Sequence, residues 1–187
     1  MRRLLLQVQT TIDGYMAGPN HELDWLTCPW TEDIDAYITA LMASVDTIVL
    51  GRNLAEGFIP AWASRPEGEP EESIDWMNNT PKVVISNSLT ESPWENAVVA
   101  GGDLTKTITQ LKAQPGGDLI VYGGVTLVQD LLARELINDI HLFVNPTAVG
   151  GGKPVFASGD GYQRLQLAGA QPFACGITAL HLQPKRD

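Results

Sequence analysis

Four stretches of the chain set small or cationic residues directly after a short apolar run, which is what an anion-holding strand end requires. Residues 46–50 run into Gly51, Arg52 and Asn53, followed by Leu54. Residues 82–85 run into Ser86, Asn87 and Ser88, and residues 97–100 into Gly101 and Gly102. Residues 119–122 run into Gly123 and Gly124, then Val125, Thr126 and Leu127. Two residues without Cβ let a ligand approach the main chain closely. A helix that follows opens with unpaired N–H groups and the positive end of its dipole. A phosphate fits such a place, and Arg52 adds a planar fork suited to it. Each feature has a plainer reading: Gly-Gly as a tight turn, Arg52 in a surface ion pair, the Ser86–Asn87–Ser88 run as turn residues. The repetition of one design favours a ligand.

The elements that must position these ends read as follows. Residues 3–11 form a first strand, with Leu4, Leu6, Val8 and Thr10 on one face and Leu5, Gln7, Gln9 and Thr11 on the other. A central strand covered by helices is apolar on both sides. Gln7 and Gln9 break that pattern, so either this face is partly solvated or its amides stand beside a polar ligand. An Asp13-Gly14 turn follows, and Tyr15, Met16 and Ala17 return as a short extended piece. A helix opens at Thr31 or Glu32 and runs to about Ser44, with Ile34, Tyr37, Ile38, Leu41 and Met42 at helical spacing.

Residues 57–81 are rich in Pro, Glu, Gly and Trp and predict a long excursion with little regular structure, of the kind that often serves as a lid, in which Trp62 and Trp76 either line a pocket or anchor the loop to the core. Asp103 can cap a helix over residues 104–112. Residues 137–145 form another strand, 146–154 a glycine loop, and 163–170 with 177–183 an antiparallel pair in which His181 meets solvent or a neighbouring strand. Strands and helices alternate to about Arg134 and strands dominate afterwards. This predicts an α/β fold of three layers, a mixed and mainly parallel sheet flanked by helices, with antiparallel C-terminal strands. Ligands on such sheets bind outside the carboxyl ends of the parallel strands, the edge on which all four polar ends fall.

Length and composition set limits on partners. The chain has 187 residues, 44% hydrophobic and 18% charged, the mix of one globular domain with a sizeable core. A net charge of −10 argues against a nucleic-acid or anionic-membrane partner. Cys28 and Cys175 have neither metal-like spacing nor a disulfide framework. The apolar run near Met1 stops at Gln7, too short for a signal peptide or membrane span, so a cytoplasmic protein is expected.

The order TIDGYMAG, DTIVLGRN, KVVISNS, LIVYGGVTLVQDLL and DIHLFVNPTAVGGGKPVF resembles the dihydrofolate reductase superfamily over nearly the whole chain. It is most similar to the branch related to the reductase domain of riboflavin biosynthesis. The resemblance implies one domain over residues 1–187, an NADPH-dependent reductase for a small pterin-like or riboflavin-precursor-like substrate, and a homodimer. It places Arg52 at the 2′-phosphate, Asn53 and Leu54 at the pyrophosphate, Ser86, Asn87 and Ser88 along the adenosine 2′ side, and Gly51 among the cofactor-binding residues. Gly123, Gly124, Val125, Thr126 and Leu127 hold the pyrophosphate on the helix start. Gln9, Met16 and Ala17 lie beside the nicotinamide, under a mobile loop containing Asp13 and Gly14.

Asp35 stands where folate-reducing members keep their acid. A carboxylate buried there would deliver a proton; the alternatives are a solvated helix carboxylate, with the proton drawn from water. Two departures are visible. Leu54 stands where many members have Thr, and Thr80 and Pro81 stand where folate-reducing members carry an Arg. Two other readings remain open. One is a non-catalytic nucleotide-binding protein that keeps the cleft. The other is a reductase of a phosphorylated ribosyl precursor, for which Arg65 and Lys153 are the nearby cations.

Overall fold

A computed structural model describes residues 1–157, 159 and 163–185. Ten strands and five helices follow in the order β1 (Leu4–Thr11), β2 (Tyr15–Ala17), α1 (Glu32–Met42), β3 (Val45–Gly51), α2 (Arg52–Ala63), α3 (Glu71–Asn79), β4 (Lys82–Ile85), β5 (Ala97–Ala100), α4 (Leu104–Ala113), β6 (Asp118–Gly123), α5 (Val125–Ala133), β7 (Asp139–Asn145), β8 (Lys153–Pro154), β9 (Leu165–Pro172) and β10 (Thr178–Pro184). Eight strands form one sheet in the order β5-β4-β3-β6-β1-β7-β10-β9. Its first six strands are parallel, and β10 pairs antiparallel with both β7 and β9. The expected mixed sheet with an antiparallel end is the one found.

Strand alternation divides the core into two layers. Leu4, Leu6 and Val8 of β1 join Leu119 and Val121 of β6 under Ile108 of α4 and Leu127, Val128, Leu131 and Leu132 of α5. On the opposite face Leu5, Ile48, Leu50 and Ile120 pack against Ala55 and Ile59 of α2. Farther along that face, Ile34 of α1 meets Phe143, Phe173, Ile177 and Ala179. Gln7 and Gln9 share this second face with Leu5. Gln7 is buried and Gln9 half-buried, so the face is not open to solvent at Gln7.

The segment 57–81 corrects the sequence reading. Its prolines suggest a loop, yet α2 runs through Pro60 to Ala63, and Pro70 caps α3. Both helices carry one apolar face, with Ile59 and Ile74 buried, and tertiary burial overrides local propensity. Lys82 anchors the end of α3: its Nζ donates to the carbonyls of Thr80 (2.8 Å) and Asn78 (3.3 Å), and burial lowers its pKa. Trp76 packs against the α2 core, and Trp62 lies 6.2 Å from Phe58 between ring centroids. Arg65 bridges Glu71 and Asp75 on the surface.

Beneath α1, β7 and β10 carry a polar cluster within the second layer. His141 is buried, takes part in a 2.8 Å hydrogen bond with the Tyr37 hydroxyl, and stacks on His181 at 4.3 Å between ring centroids. Asp139 holds His181 at 2.7 Å and also accepts from Gln183. His181 thus meets a neighbouring strand, one of its two sequence readings. Burial pulls the His141 pKa from 6.5 down to about 4; His181 and Arg3 push the same way and Asp139 opposes them.

The folded imidazole refuses a proton that the unfolded chain accepts, so stability is intact above about pH 6.5 and declines as pH falls toward about 4. Asp13, Asp33, Asp118 and Asp139 are held below their ordinary value of 3.8 and titrate beneath that window. Thermal melts between pH 6.5 and 4 should therefore show a falling midpoint whose slope is shallower in His141→Asn. Equal slopes in the two proteins would assign the titration to another group.

Candidate active site

The strand order brings the four polar ends into one row. From one side the carboxyl tips are those of β5 (Gly101, Gly102), β4 (Ser86–Ser88), β3 (Gly51, Arg52) and β6 (Gly123, Gly124), with β1 (Gln9) next. At a strand spacing of about 4.8 Å, β4 and β1 stand three spacings, roughly 14 Å, apart.

The two central tips are pressed together. A Cβ on Gly51 would lie 3.1 Å from the Gly124 nitrogen and 3.4 Å from the Leu127 Cβ. One on Gly123, whose φ is +151°, would lie 3.1 Å from Leu54 Cδ2. The Gly123–Gly124 peptide is cis. Gly51 and Gly124 are themselves the N-cap residues of α2 and α5, and neither helix has a side-chain cap. By contrast, Asp103 caps α4 by accepting from Lys106 N at 2.8 Å. Two helix starts therefore stand side by side with first-turn amides that no side chain satisfies, a cradle that fits a pyrophosphate.

The side chains around this cradle differ in availability. Asn53 and Thr126 are exposed, Val125 is half-buried, and Leu127 is buried in the core, leaving only its backbone to face a ligand. The Arg52 side chain is 40% exposed and its guanidinium donates to Glu56 Oε1 at 2.6 Å, one turn along α2. Ser86 Oγ accepts from Ser88 N and Leu89 N, each at 3.1 Å, and lies 3.2 Å from Ser88 Oγ. Asn87 Oδ1 accepts from Gly102 N at 2.6 Å, joining the β4 and β5 tips. In the structure the Ser86–Asn87–Ser88 run thus does turn work, while Asn87 and Ser88 remain exposed.

The segment bearing Asp13 and Gly14 is tied down. The Asp13 carboxylate accepts from Thr11 Oγ1 (2.6 Å), Gly150 N (2.8 Å) and Val149 N (3.3 Å), and these bonds, Thr11's first, hold its pKa below the usual value. Beyond it, β2 pairs with β8 through Tyr15–Pro154 and Ala17–Lys153. Met16 packs partly buried against the first core layer and Ala17 is buried.

On the α1/α2 side of the row, residues that the sequence did not single out complete a wall. Tyr122, the last side chain before Gly123, stacks on Phe58 at 5.6 Å between centroids, and its hydroxyl points to Met42 Sδ at 3.4 Å. Burial drives the Tyr122 hydroxyl far above the ordinary phenol range, so it stays protonated. The parity of Tyr122 with Ile120 is the sequence signal that could have placed it there. Asn145 at the β7 tip donates to Gln9 Oε1 at 2.8 Å. Asp35 differs from the buried acid that the resemblance suggests: it is exposed, because Ile34, Tyr37 and Ile38 take the inward stripe of α1.

Fold and tip row together define a reductase-type α/β domain of the dihydrofolate reductase superfamily, in its riboflavin-biosynthesis branch. Within it, the chain belongs to the RibD C-terminal domain family, which it matches over residues 2–179. It is similar to uncharacterized protein YyaP of Bacillus subtilis (strain 168), 27% identical over 184 residues and covering 96% of this chain and 93% of that one. A solved protein of Shewanella sp. PV-4 named for riboflavin biosynthesis is 26% identical, with a TM-score of 0.78 over 100% of both chains. Dihydrofolate reductase of Enterococcus faecalis, solved with NADP(H), shares the fold at 15% identity, with a TM-score of 0.63 over 99% of this chain and 97% of that one.

Because main chain and not a pliant side chain faces the missing Cβ of Gly51, Gly51→Ala should destabilise the protein by about 1–3 kcal/mol in denaturant unfolding. Arg52→Ala, which removes an exposed pair, should stay within about 0.5 kcal/mol. A silent Gly51→Ala would show that the tips can part freely.

Proposed function

We propose that the chain is an NADPH-dependent reductase whose cofactor lies along the row of strand tips. The observation that carries this is the contiguity of those tips. Residues scattered from 9 to 127 in the sequence become neighbours in the order an extended dinucleotide needs. In this reading Ser86, Asn87 and Ser88 face the adenosine, and Arg52 leaves Glu56 for the 2′-phosphate. The amides of residues 52–54 and 124–127 take the pyrophosphate, and Gln9, Met16 and Ala17 border the nicotinamide. The NADP(H) bound by the Enterococcus faecalis reductase supports the choice of cofactor.

When bound, NADPH supplies a hydride to a C=N or C=O of a small flat substrate; the chain supplies alignment and a dry wall. Tyr122 and Phe58 form that wall, next to the cradle. Of the two proton sources, water and Asp35, the exposure of Asp35 favours water. Arg65 already bridges Glu71 and Asp75, which weighs against a substrate phosphate held by that residue.

Titration calorimetry should show NADPH binding, weakened about tenfold or more by Arg52→Ala, while NADH changes by less than about threefold. Equal losses would remove Arg52 from the 2′-phosphate. Failure of both dinucleotides to bind at millimolar concentration would leave the fold and overturn the function.

A further inference from the structure

Among the described residues, three enclosed side-chain polar atoms have no hydrogen-bond partner: Gln9 Nε2, Asn145 Oδ1 and Trp25 Nε1. The first two belong to touching side chains at the tips of adjacent strands, since Asn145 Nδ2 donates to Gln9 Oε1 at 2.8 Å. The direction of that bond is fixed by the surroundings. Asn145 Nδ2 also donates to the main-chain carbonyls of Phe143 (3.1 Å) and Thr10 (3.3 Å). Reversing the Asn145 amide would set oxygen against two oxygens, so its nitrogen must face them, and Gln9 must then present its oxygen. The Gln9 Nε2 is left as a donor with nothing to donate to.

An enclosed donor without an acceptor is unfavourable, and native proteins seldom keep one without a use. Gln9 has an inexpensive way out. It is only half-buried, while Asn145 is 1% exposed and anchored. If the Gln9 side chain turns outward, Asn145 Nδ2 keeps both main-chain acceptors and one hydrogen bond is lost. The Nε2 has none to lose and becomes free to donate into the cleft.

The place it would donate to follows from the strand order. Gln9 lies on β1, one strand beyond the Gly123–Gly124 half of the cradle and on the side away from the β4 and β5 tips. A dinucleotide with its adenosine over β4 and its pyrophosphate over β3 and β6 brings its other end to β1. The polar group on that end is a primary carboxamide, whose oxygen is the acceptor that Nε2 lacks.

We propose that Gln9 reads the nicotinamide carboxamide: its side chain turns from Asn145 into the cleft and donates Nε2–H to the carboxamide oxygen, with Asn145 as its resting partner. The inference rests on the dinucleotide reading above and adds a side-chain determinant at the nicotinamide end.

The test compares NADPH with 2′-phospho-ADP-ribose, which lacks the nicotinamide, by titration calorimetry on the full chain. Gln9→Leu should weaken NADPH about three- to tenfold and leave 2′-phospho-ADP-ribose unchanged. Its melting temperature should hold or rise, because the stranded donor is gone. Gln9→Glu can still accept from Asn145 but cannot donate when ionised, and should lose NADPH affinity as Gln9→Leu does. Unchanged NADPH affinity in Gln9→Leu overturns the proposal while the dinucleotide reading stands. Parallel loss of both ligands, with a lower melting temperature, overturns it as well and makes Gln9 structural. A wild-type chain that binds neither ligand defeats the dinucleotide reading and this inference with it.

Discussion

The site depends on how closely two strand ends can approach. Gly51 and Gly124 stand so near that one added methyl group on Gly51 would press on a backbone nitrogen. That contact sets the starts of α2 and α5 side by side, each with first-turn amides left open by a glycine cap. A single helix start is a weak anion site; two of them converging share one ligand and fix its position. The parallel sheet makes the convergence possible, because β3 and β6 are hydrogen-bonded neighbours although some seventy residues separate them in sequence.

The same arrangement offers a way for a chain of net charge −10 to accommodate the proposed polyanion. Several of its carboxylates are occupied as acceptors away from the cradle. Asp33 binds the Ala174 amide at 2.8 Å and thereby ties α1 to the β9–β10 turn. Asp118 holds Arg3 and Ser44, Asp139 holds His181 and Gln183, and Asp13 collects the amides of Val149 and Gly150. These pairings work within a few ångström, and charges farther off are screened in salt. Beside the cradle, Glu56 is the acid that touches Arg52, and freeing that arginine would cost only an exposed pair worth little.

What could be read in the sequence was whatever is written locally. Glycine after an apolar run marks a strand end wherever it occurs, so the cradle's two halves were visible without knowing that they meet. The paired tips at Ser86 and Gly101 were visible on the same grounds. The helices within residues 57–81 were hidden because Pro60, Pro66 and Pro70 are local breakers, whereas the burial of Ile59 and Ile74 that stabilises α2 and α3 is tertiary. Asn145 and His141 were hidden for a different reason. Their partners, Gln9 and Tyr37, lie 136 and 104 residues away; the β1–β7 pairing register cannot be read from one strand alone, and the packing of α1 over β7 is tertiary. Asp35 shows the limit of carrying a role by position. The resemblance suggests an acid at this helix position, but the side of the helix on which a residue falls is decided by the apolar stripe of Ile34, Tyr37 and Ile38.

That stripe has a chemical consequence for the reaction proposed here. The polar groups of the second layer include the amides of Gln7 and Gln9 and the phenol of Tyr122 on the sheet, the phenol of Tyr37 on α1, His141, kept neutral by burial until about pH 4, and Asp139, held by His181 and Gln183. A carboxylate of α1 facing inward without the partners that hold Asp139 below its ordinary pKa would be costly to ionise. With Asp35 turned outward, it adds no such charge to the layer, and in the proposed reaction proton delivery would fall to solvent. In that proposed reaction the acceptor atom would have to be basic enough to take its proton from water, a requirement that a C=N group meets better than an isolated ketone.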